Sequence, residues 1–210
     1  MFHVKHPLPR TEPAVTVSRE TSARLELFVG LLAQWSKVIN LVALPAPEVI
    51  WRRHINDSLQ LLPLLPSTVA VAIDLGSGAG FPGLVLAVGT GCHFHLVEAD
   101  RRKAAFLREA ARLTAASVTV HDCRIERAKI PAADLITARA LAPLPRLLEL
   151  AVPHLAPSGT CLFLKGRRVS EELTAARRQW HMRAESVRSL TDPASSILKI
   201  SEIARVRQSP

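Results

Sequence analysis

Tyrosine is absent from this chain of 210 residues, cysteine occurs three times and methionine twice. Phenolic acid or nucleophile chemistry is therefore excluded. The cysteines, at positions 92, 123 and 161, are odd in number and form no CxxC pair, which excludes a disulfide framework and a structural zinc site. They point to a reducing compartment, and no metal is expected. Long apolar runs are missing too. The longest stretch without charge, Leu75 to Val97, carries six of the nine glycines and Pro82, so it cannot cross a bilayer as one helix. The N-terminal MFHVKHPLPRTEP lacks the apolar core of a signal peptide. A cytoplasmic protein with no membrane partner is the expectation.

What is present describes a folded domain with an appendage. At roughly 150 residues per domain, 210 residues make one domain plus an extension. With 48% hydrophobic and 21% charged residues, the chain is not a disordered one. Lys and Arg outnumber Asp and Glu by 27 to 18, a net charge of +9. The excess includes Arg52-Arg53, Arg167-Arg168 and Arg177-Arg178, with no long basic tail. Such a balance favours a polyanion such as nucleic acid, because neutralising phosphates releases counterions. An arginine-rich enzyme without a polyanionic partner is the alternative at this level.

Along the chain, residues 1–17 carry Pro7, Pro9 and Pro13 and read as irregular. From Ser18, a plausible N-cap, Leu25, Phe28, Val29, Leu32, Trp35 and Ile39 recur at helical spacing. A second helix starts near Pro47 and stops at Pro63, so residues 18–66 read as a helical extension. Over 67–210 the pattern alternates. Apolar runs at 69–75, 93–98, 117–121, 134–138 and 160–165 read as buried strands, separated by helices at 83–88, 101–113, 144–152 and 170–179. Val187 and Leu190, then Ile197 to Ile203, suggest two further strands joined at Asp192-Pro193. The expected fold is α/β, with a seven-stranded, mostly parallel, Rossmann-like sheet.

The string GSGAGFPG at 76–83 follows the strand VAIDL and precedes a helix. Gly76, Gly78 and Gly80 let the backbone turn tightly and approach a ligand. With Phe81 where a dinucleotide loop has its third glycine, and Pro82 removing an N–H group, pyrophosphate is poorly served. A P-loop is excluded because no Gly-Lys-Ser/Thr follows. A ligand with an adenosine and a carboxylate but no phosphate fits, and S-adenosylmethionine is such a ligand. Glu98, ending the next strand, is the expected acceptor for its ribose hydroxyls, with Asp100 as the fallback.

Further motifs follow in a fixed order. They are WSKVINL at 35–41, RHINDSL at 53–59, DLGSGAGFPG at 74–83, VEADRRKAAFLREAAR at 97–112, Arg124 with Glu126, ARALAPL at 138–144 and FLKG at 163–166. By these motifs the chain resembles the bacterial small-subunit ribosomal RNA 7-methylguanosine methyltransferases, the glucose-inhibited division protein B family. The resemblance implies a class I S-adenosylmethionine-dependent methyltransferase fold with an N-terminal helical extension. It implies methylation of guanine nitrogen 7 in the 530 loop of 16S rRNA, with the small ribosomal subunit as partner. It also implies cofactor contacts at Gly76, Phe81, Ile125, Glu126 and Arg139. Nothing points to an obligate protein partner.

Guanine nitrogen 7 attacks through an in-plane lone pair, so alignment matters more than a base. Arg139 ends the strand DLITA at the carboxyl edge of the sheet, where its planar fork could hold a carboxylate, a phosphate or a guanine edge. It is the candidate catalytic residue. An ion pair with Glu98, Glu126 or Asp100 is the bland alternative for it. Lys165, at the equivalent edge of a neighbouring strand, is a candidate for RNA phosphate, as are Arg167 and Arg168. Arg53 and His54 are candidates to face the target nucleotide, against a purely helix-packing role for RHINDS. A Ser58-based hydrolase triad is not expected, since the serine is not on a strand-to-helix elbow. Cys161, Trp35 and Trp51 read as core residues. A nicotinamide oxidoreductase, a small-molecule methyltransferase and a non-catalytic RNA-binding module are the rival functions.

Overall fold

The computed structural model describes residues 15–206; the irregular segment expected over 1–17 lies almost wholly outside them. The strands are β1 (Ala72–Leu75), β2 (Phe94–Val97), β3 (Val118–His121), β4 (Ala133–Arg139), β5 (Leu155–Lys165), β6 (Trp180–Arg188) and β7 (Ser196–Arg205). They form one sheet in the order β3-β2-β1-β4-β5-β7-β6. β1 pairs in parallel with β2 and β4, and β7 runs antiparallel to both β5 and β6. The expected seven-stranded, mostly parallel sheet is therefore present. Its strand order reverses beside β1, so the loops after β1 and β4 open a crevice at the carboxyl edge.

Apolar strands buried on both faces need helices on both faces. On one side lie α1 (Arg19–Trp35), α4 (Gly83–Thr90) and α5 (Arg101–Thr114), packed through Phe28, Leu84 and Phe106 onto Phe94 and Leu96. On the other, α6 (Leu144–Ala151) and α7 (Val169–Arg177) cover Ile73, Ile136 and Phe163. Ser18 caps α1 as expected, its Oγ accepting from the Thr21 N–H at 3.0 Å. Arg24 of α1 donates to the carbonyls of Thr114 and Ala115 at 2.6 and 2.8 Å, closing the end of α5. The N-terminal helices thus share a core with the sheet.

Two local readings need correction. The second helix is not continuous. It runs as α2 (Pro47–Ile50), a π-helical turn over Trp51–Ile55, and α3 (Asn56–Leu59), with the Asn56 N–H reaching back to the Trp51 carbonyl. Leu190 is not in a strand. It is 67% exposed in the β6–β7 loop, and β6 instead begins at Trp180, whose buried ring starts an alternation that includes Met182 and Ala184. Among the described residues no helix is long and apolar enough to cross a membrane.

Candidate active site

Two clefts open at the carboxyl edge of the sheet, and the segment Arg139–Ala142 after β4 lines both. The smaller, about 550 Å³, lies over the turn that follows β1. Gly76 and Gly78 form its floor with φ of 66° and 54°, values that favour glycine. A Cβ at Gly76 would stand 2.6 Å from Leu141, which also lines the cleft. Glu98 fixes the turn from below, one carboxylate oxygen accepting from the Gly78 N–H and the other from the Asp100 N–H, both at 2.8 Å. Asp100 caps the N-terminus of α5, where it accepts from the Arg102 and Lys103 N–H groups. Ile125 supplies an apolar wall, and Glu126 lines the same cleft while pairing with Arg146 at 2.9 Å.

The remaining glycine-loop residues face inwards. A Cβ at Gly80 would meet Leu84 at 3.1 Å and Phe28 at 3.3 Å, so this glycine allows close packing against the helices. Phe81 is buried between the Phe28 ring, 5.5 Å away, and the His54 ring, stacked at 4.9 Å. Gly83 lets α4 close onto β1 and β2, because a Cβ there would run into Asp74 and stand 2.7 Å from Leu96. The close-packing glycine of the dinucleotide pattern, absent at Phe81, is thus present two residues later. Read from Gly78, the loop is itself GxGxxG, a register that was legible in the sequence.

The larger cleft, about 890 Å³, is bounded by Arg52, Arg53 and Asp57 from the N-terminal helices and by Thr191 and Asp192 from the β6–β7 loop. Arg139 stands in the wall shared with the smaller cleft. Its Nε faces Asp57 at 3.4 Å, Nη2 donates to the Arg53 carbonyl at 3.2 Å, and its Cζ lies 5.9 Å over the Phe81 ring. The Nη1 atom is buried with no hydrogen-bond partner. Burial lowers the Arg139 pKa, opposed by the Asp57 charge and aided by Arg53. Its ion-pair partner is Asp57, not Glu98, Glu126 or Asp100.

His54 lines neither cleft and lies behind Arg139, stacked on Phe81. Burial, with the positive charges of Arg139 and Arg53, lowers its pKa to about 4, so the imidazole is neutral at pH 7. It makes no triad. Ser58 is wholly buried and its hydroxyl donates to the His54 carbonyl. Lys165, expected at the phosphate, is instead buried, ion-paired with Glu172 at 2.6 Å and bonded to the Ala142 carbonyl at 2.9 Å. Glu172 also accepts from the Leu144 N–H at 2.7 Å, so this pair locks α6 to α7. Arg53 and Arg167 are exposed, and both lower the Asp192 pKa behind its hydrogen bonds from Ala194 and Ser195. Arg168 is exposed and paired with Glu171 at 2.9 Å. Cys161 is buried in β5, which pushes its thiol pKa up, while Trp35 and Trp51 pack against the core. No grouping of three metal-ligating side chains exists among the described residues.

Thr191, and the pairing of Asp57 with it and with Arg139, carried no signal in the sequence. Their link is tertiary, with the Thr191 hydroxyl donating to Asp57 at 2.7 Å and Gln60 tying both to Ser189.

Comparison with known proteins gives a consistent picture. The family model described as rRNA small subunit methyltransferase G matches residues 21–198. A ribosomal RNA small subunit methyltransferase G from Granulibacter bethesdensis is 54% identical over 213 residues, covering 98% of this chain and all of that protein. Among solved structures, a ribosomal protein L11 methylase from Lactobacillus delbrueckii superposes with a TM-score of 0.57 at 17% identity, over 71% of this chain and 78% of the other. M. jannaschii TYW2 in complex with AdoMet gives 0.56 at 14% identity, over 73% and 76%. These structural likenesses concern the fold.

Proposed function

The chain belongs to the rRNA small subunit methyltransferase G family, and from that membership we propose that it methylates nitrogen 7 of a guanosine in the 530 loop of 16S rRNA. It is an S-adenosylmethionine-dependent methyltransferase of the class I fold. The observation that carries the reading is the pair of clefts meeting at Arg139, one able to hold a donor and one an acceptor. Membership disfavours the nicotinamide and small-molecule alternatives.

The smaller cleft fits the donor. Its volume of about 550 Å³ falls within the ~300–1,000 Å³ of small-ligand sites. Gly76 and Gly78 offer close backbone approach, Glu98 has lone pairs left for ribose hydroxyls, and Ile125 with Leu141 bounds a space for the adenine. The buried, unpartnered Nη1 of Arg139 is a donor suited to the carboxylate of the cofactor's amino-acid end. Gly80 and Phe81 support this cleft from the core, and Glu126 stands at its rim.

When bound, S-adenosylmethionine supplies an electrophilic methyl group on a sulfonium. The chain's task is to orient guanine so that its in-plane nitrogen 7 lone pair lies in line with the methyl–sulfur bond. That bond breaks as the nitrogen–carbon bond forms. The positive charge passes to the purine, and no proton has to leave. Accordingly no residue need act as a base. Alignment of this kind can supply ~7–11 kcal/mol in favourable cases. Arg53 and Arg167 would hold RNA phosphates at the larger cleft, with Arg139 in the wall behind the base and His54 behind Arg139. The setting would be the cytoplasm, where small subunits are found.

The test is transfer of labelled methyl from S-adenosylmethionine to small-subunit particles lacking the modification, with large-subunit particles alongside. Label confined to 16S rRNA supports the reading. Label on neither, with cofactor binding intact, removes the substrate assignment.

A further inference from the structure

Arg139 is the charged residue common to both clefts, and its geometry is set by Asp57, a member of the motif at 53–59 whose partner the motif does not reveal. Asp57 sits where three remote segments meet. Its Oδ2 faces Arg139 Nε at 3.4 Å, while its Oδ1 accepts from the Thr191 hydroxyl at 2.7 Å and from Gln60 Nε2 at 2.8 Å. The other carboxylates near this edge of the sheet are engaged elsewhere. Glu98 accepts from Gly78 and Asp100, Glu126 pairs with Arg146, and Asp100 caps α5.

We infer that Asp57 is the positioning residue for Arg139: its carboxylate, with the Arg53 carbonyl, fixes two sides of the guanidinium fork and leaves the buried Nη1 as the nitrogen without a protein partner, open to a ligand's carboxylate. This rests on the reading that Arg139 takes the cofactor's carboxylate. The logic is geometric. A guanidinium held on Nε and Nη2 by partners on two consecutive helical segments has its remaining nitrogen fixed before the ligand arrives, so less ordering is needed on binding. The π-helical turn over Trp51–Ile55 contributes directly, because it sets both the Arg53 carbonyl and the Asp57 carboxylate facing β4.

The test is a double-mutant cycle read by calorimetric affinity for S-adenosylhomocysteine, which keeps the amino-acid end, and for 5′-methylthioadenosine, which lacks it. Asp57→Asn retains an oxygen for Thr191 but can set an amide N–H against Arg139 Nε. It is expected to weaken S-adenosylhomocysteine about tenfold, within the range for contacting residues, and to leave 5′-methylthioadenosine unchanged. Arg139→Ala should produce a similar loss, and the double variant should lose little more. Ser189→Ala, which loosens the same loop at Gln60 without touching Asp57, should keep the wild-type affinity. Additive losses, or equal losses in Ser189→Ala and Asp57→Asn, would overturn the inference in favour of a structural role for Asp57. If Arg139→Ala weakens binding and Asp57→Asn does not, the inference fails alone; if Arg139→Ala binds like the wild type, the reading of Arg139 falls and the inference with it.

Discussion

Replacing Asp74 by asparagine is expected to stabilise the cofactor-free protein at neutral pH. Asp74 lies on β1 with no exposed surface. Its Oδ1 accepts from the Thr137 hydroxyl at 2.6 Å, and its Oδ2 has no hydrogen-bond partner. Burial raises its pKa from 3.8 to about 6 against the opposing hydrogen bonds, with the Glu98 charge adding to the rise. In the unfolded chain the group loses its proton near pH 4; in the folded protein it does so near pH 6. Between those values the folded state holds the extra proton, so stability falls as pH rises from about 4 to 6 and is flat above. The rise corresponds to about 3 kcal/mol at about 1.36 kcal/mol per pH unit. A buried amide N–H left without an acceptor in the variant takes back roughly 1 kcal/mol. A net gain of about 2 kcal/mol translates to about 4–8 °C in Tm for a chain of this length. His54 has the opposite dependence. Its folded pKa is about 4 against an ordinary 6.5, so its contribution is lost as pH falls through that window. It is common to both proteins and cancels in the difference. Thermal unfolding of the pair from pH 4 to 8 should show a gap that is small at pH 4 and full by pH 7. A variant less stable at pH 7, or a gap that does not change with pH, would refute the reasoning.

Three other perturbations separate structural from binding roles. Lys165→Met should cost roughly 1–3 kcal/mol by unpairing the partly buried Glu172, seen in denaturant unfolding, while leaving the salt dependence of RNA binding alone. Arg53→Ala combined with Arg167→Ala should weaken RNA binding and reduce the slope of log affinity against log salt by ~0.7 per lost phosphate contact. Arg168→Ala, whose guanidinium pairs with Glu171, should change that slope less; equal effects would remove the larger cleft from the interface. Gly83→Ala should destabilise by ~1–3 kcal/mol, since its Cβ enters the space of Asp74 and Leu96, and an unchanged unfolding midpoint would show that α4 can move away freely.

The central strands were legible because a strand buried on both faces must be a short apolar run, and β1, β2 and β4 are. β6 was misplaced because an edge strand needs only alternation, which begins at a tryptophan after a charged helix end. Within the site, the placement of Gly76, Gly78 and Arg139 follows from strand ends, which periodicity marks. The pairing of Arg139 could not be read in this way, as its partner Asp57 arrives through a π-helical turn that shifts the helix register by one residue. Lys165 looked like a free cation from its strand-end position, and only the packing of α7 brings Glu172 to neutralise it. Asp100 carried a usable signal, since an aspartate directly before an amphipathic run is a helix cap before it is anything else.

Methylation of guanine nitrogen 7 is tested most directly by mapping the product at single-nucleotide resolution. Small subunits lacking the modification would be incubated with the protein and S-adenosylmethionine, and their 16S rRNA then reduced and cleaved with aniline, which breaks the chain only at 7-methylguanosine. A single cofactor-dependent break at a guanosine of the 530 loop is the expected result. Methyl incorporation without any break, or breaks outside that loop, would contradict the assignment of atom or of site.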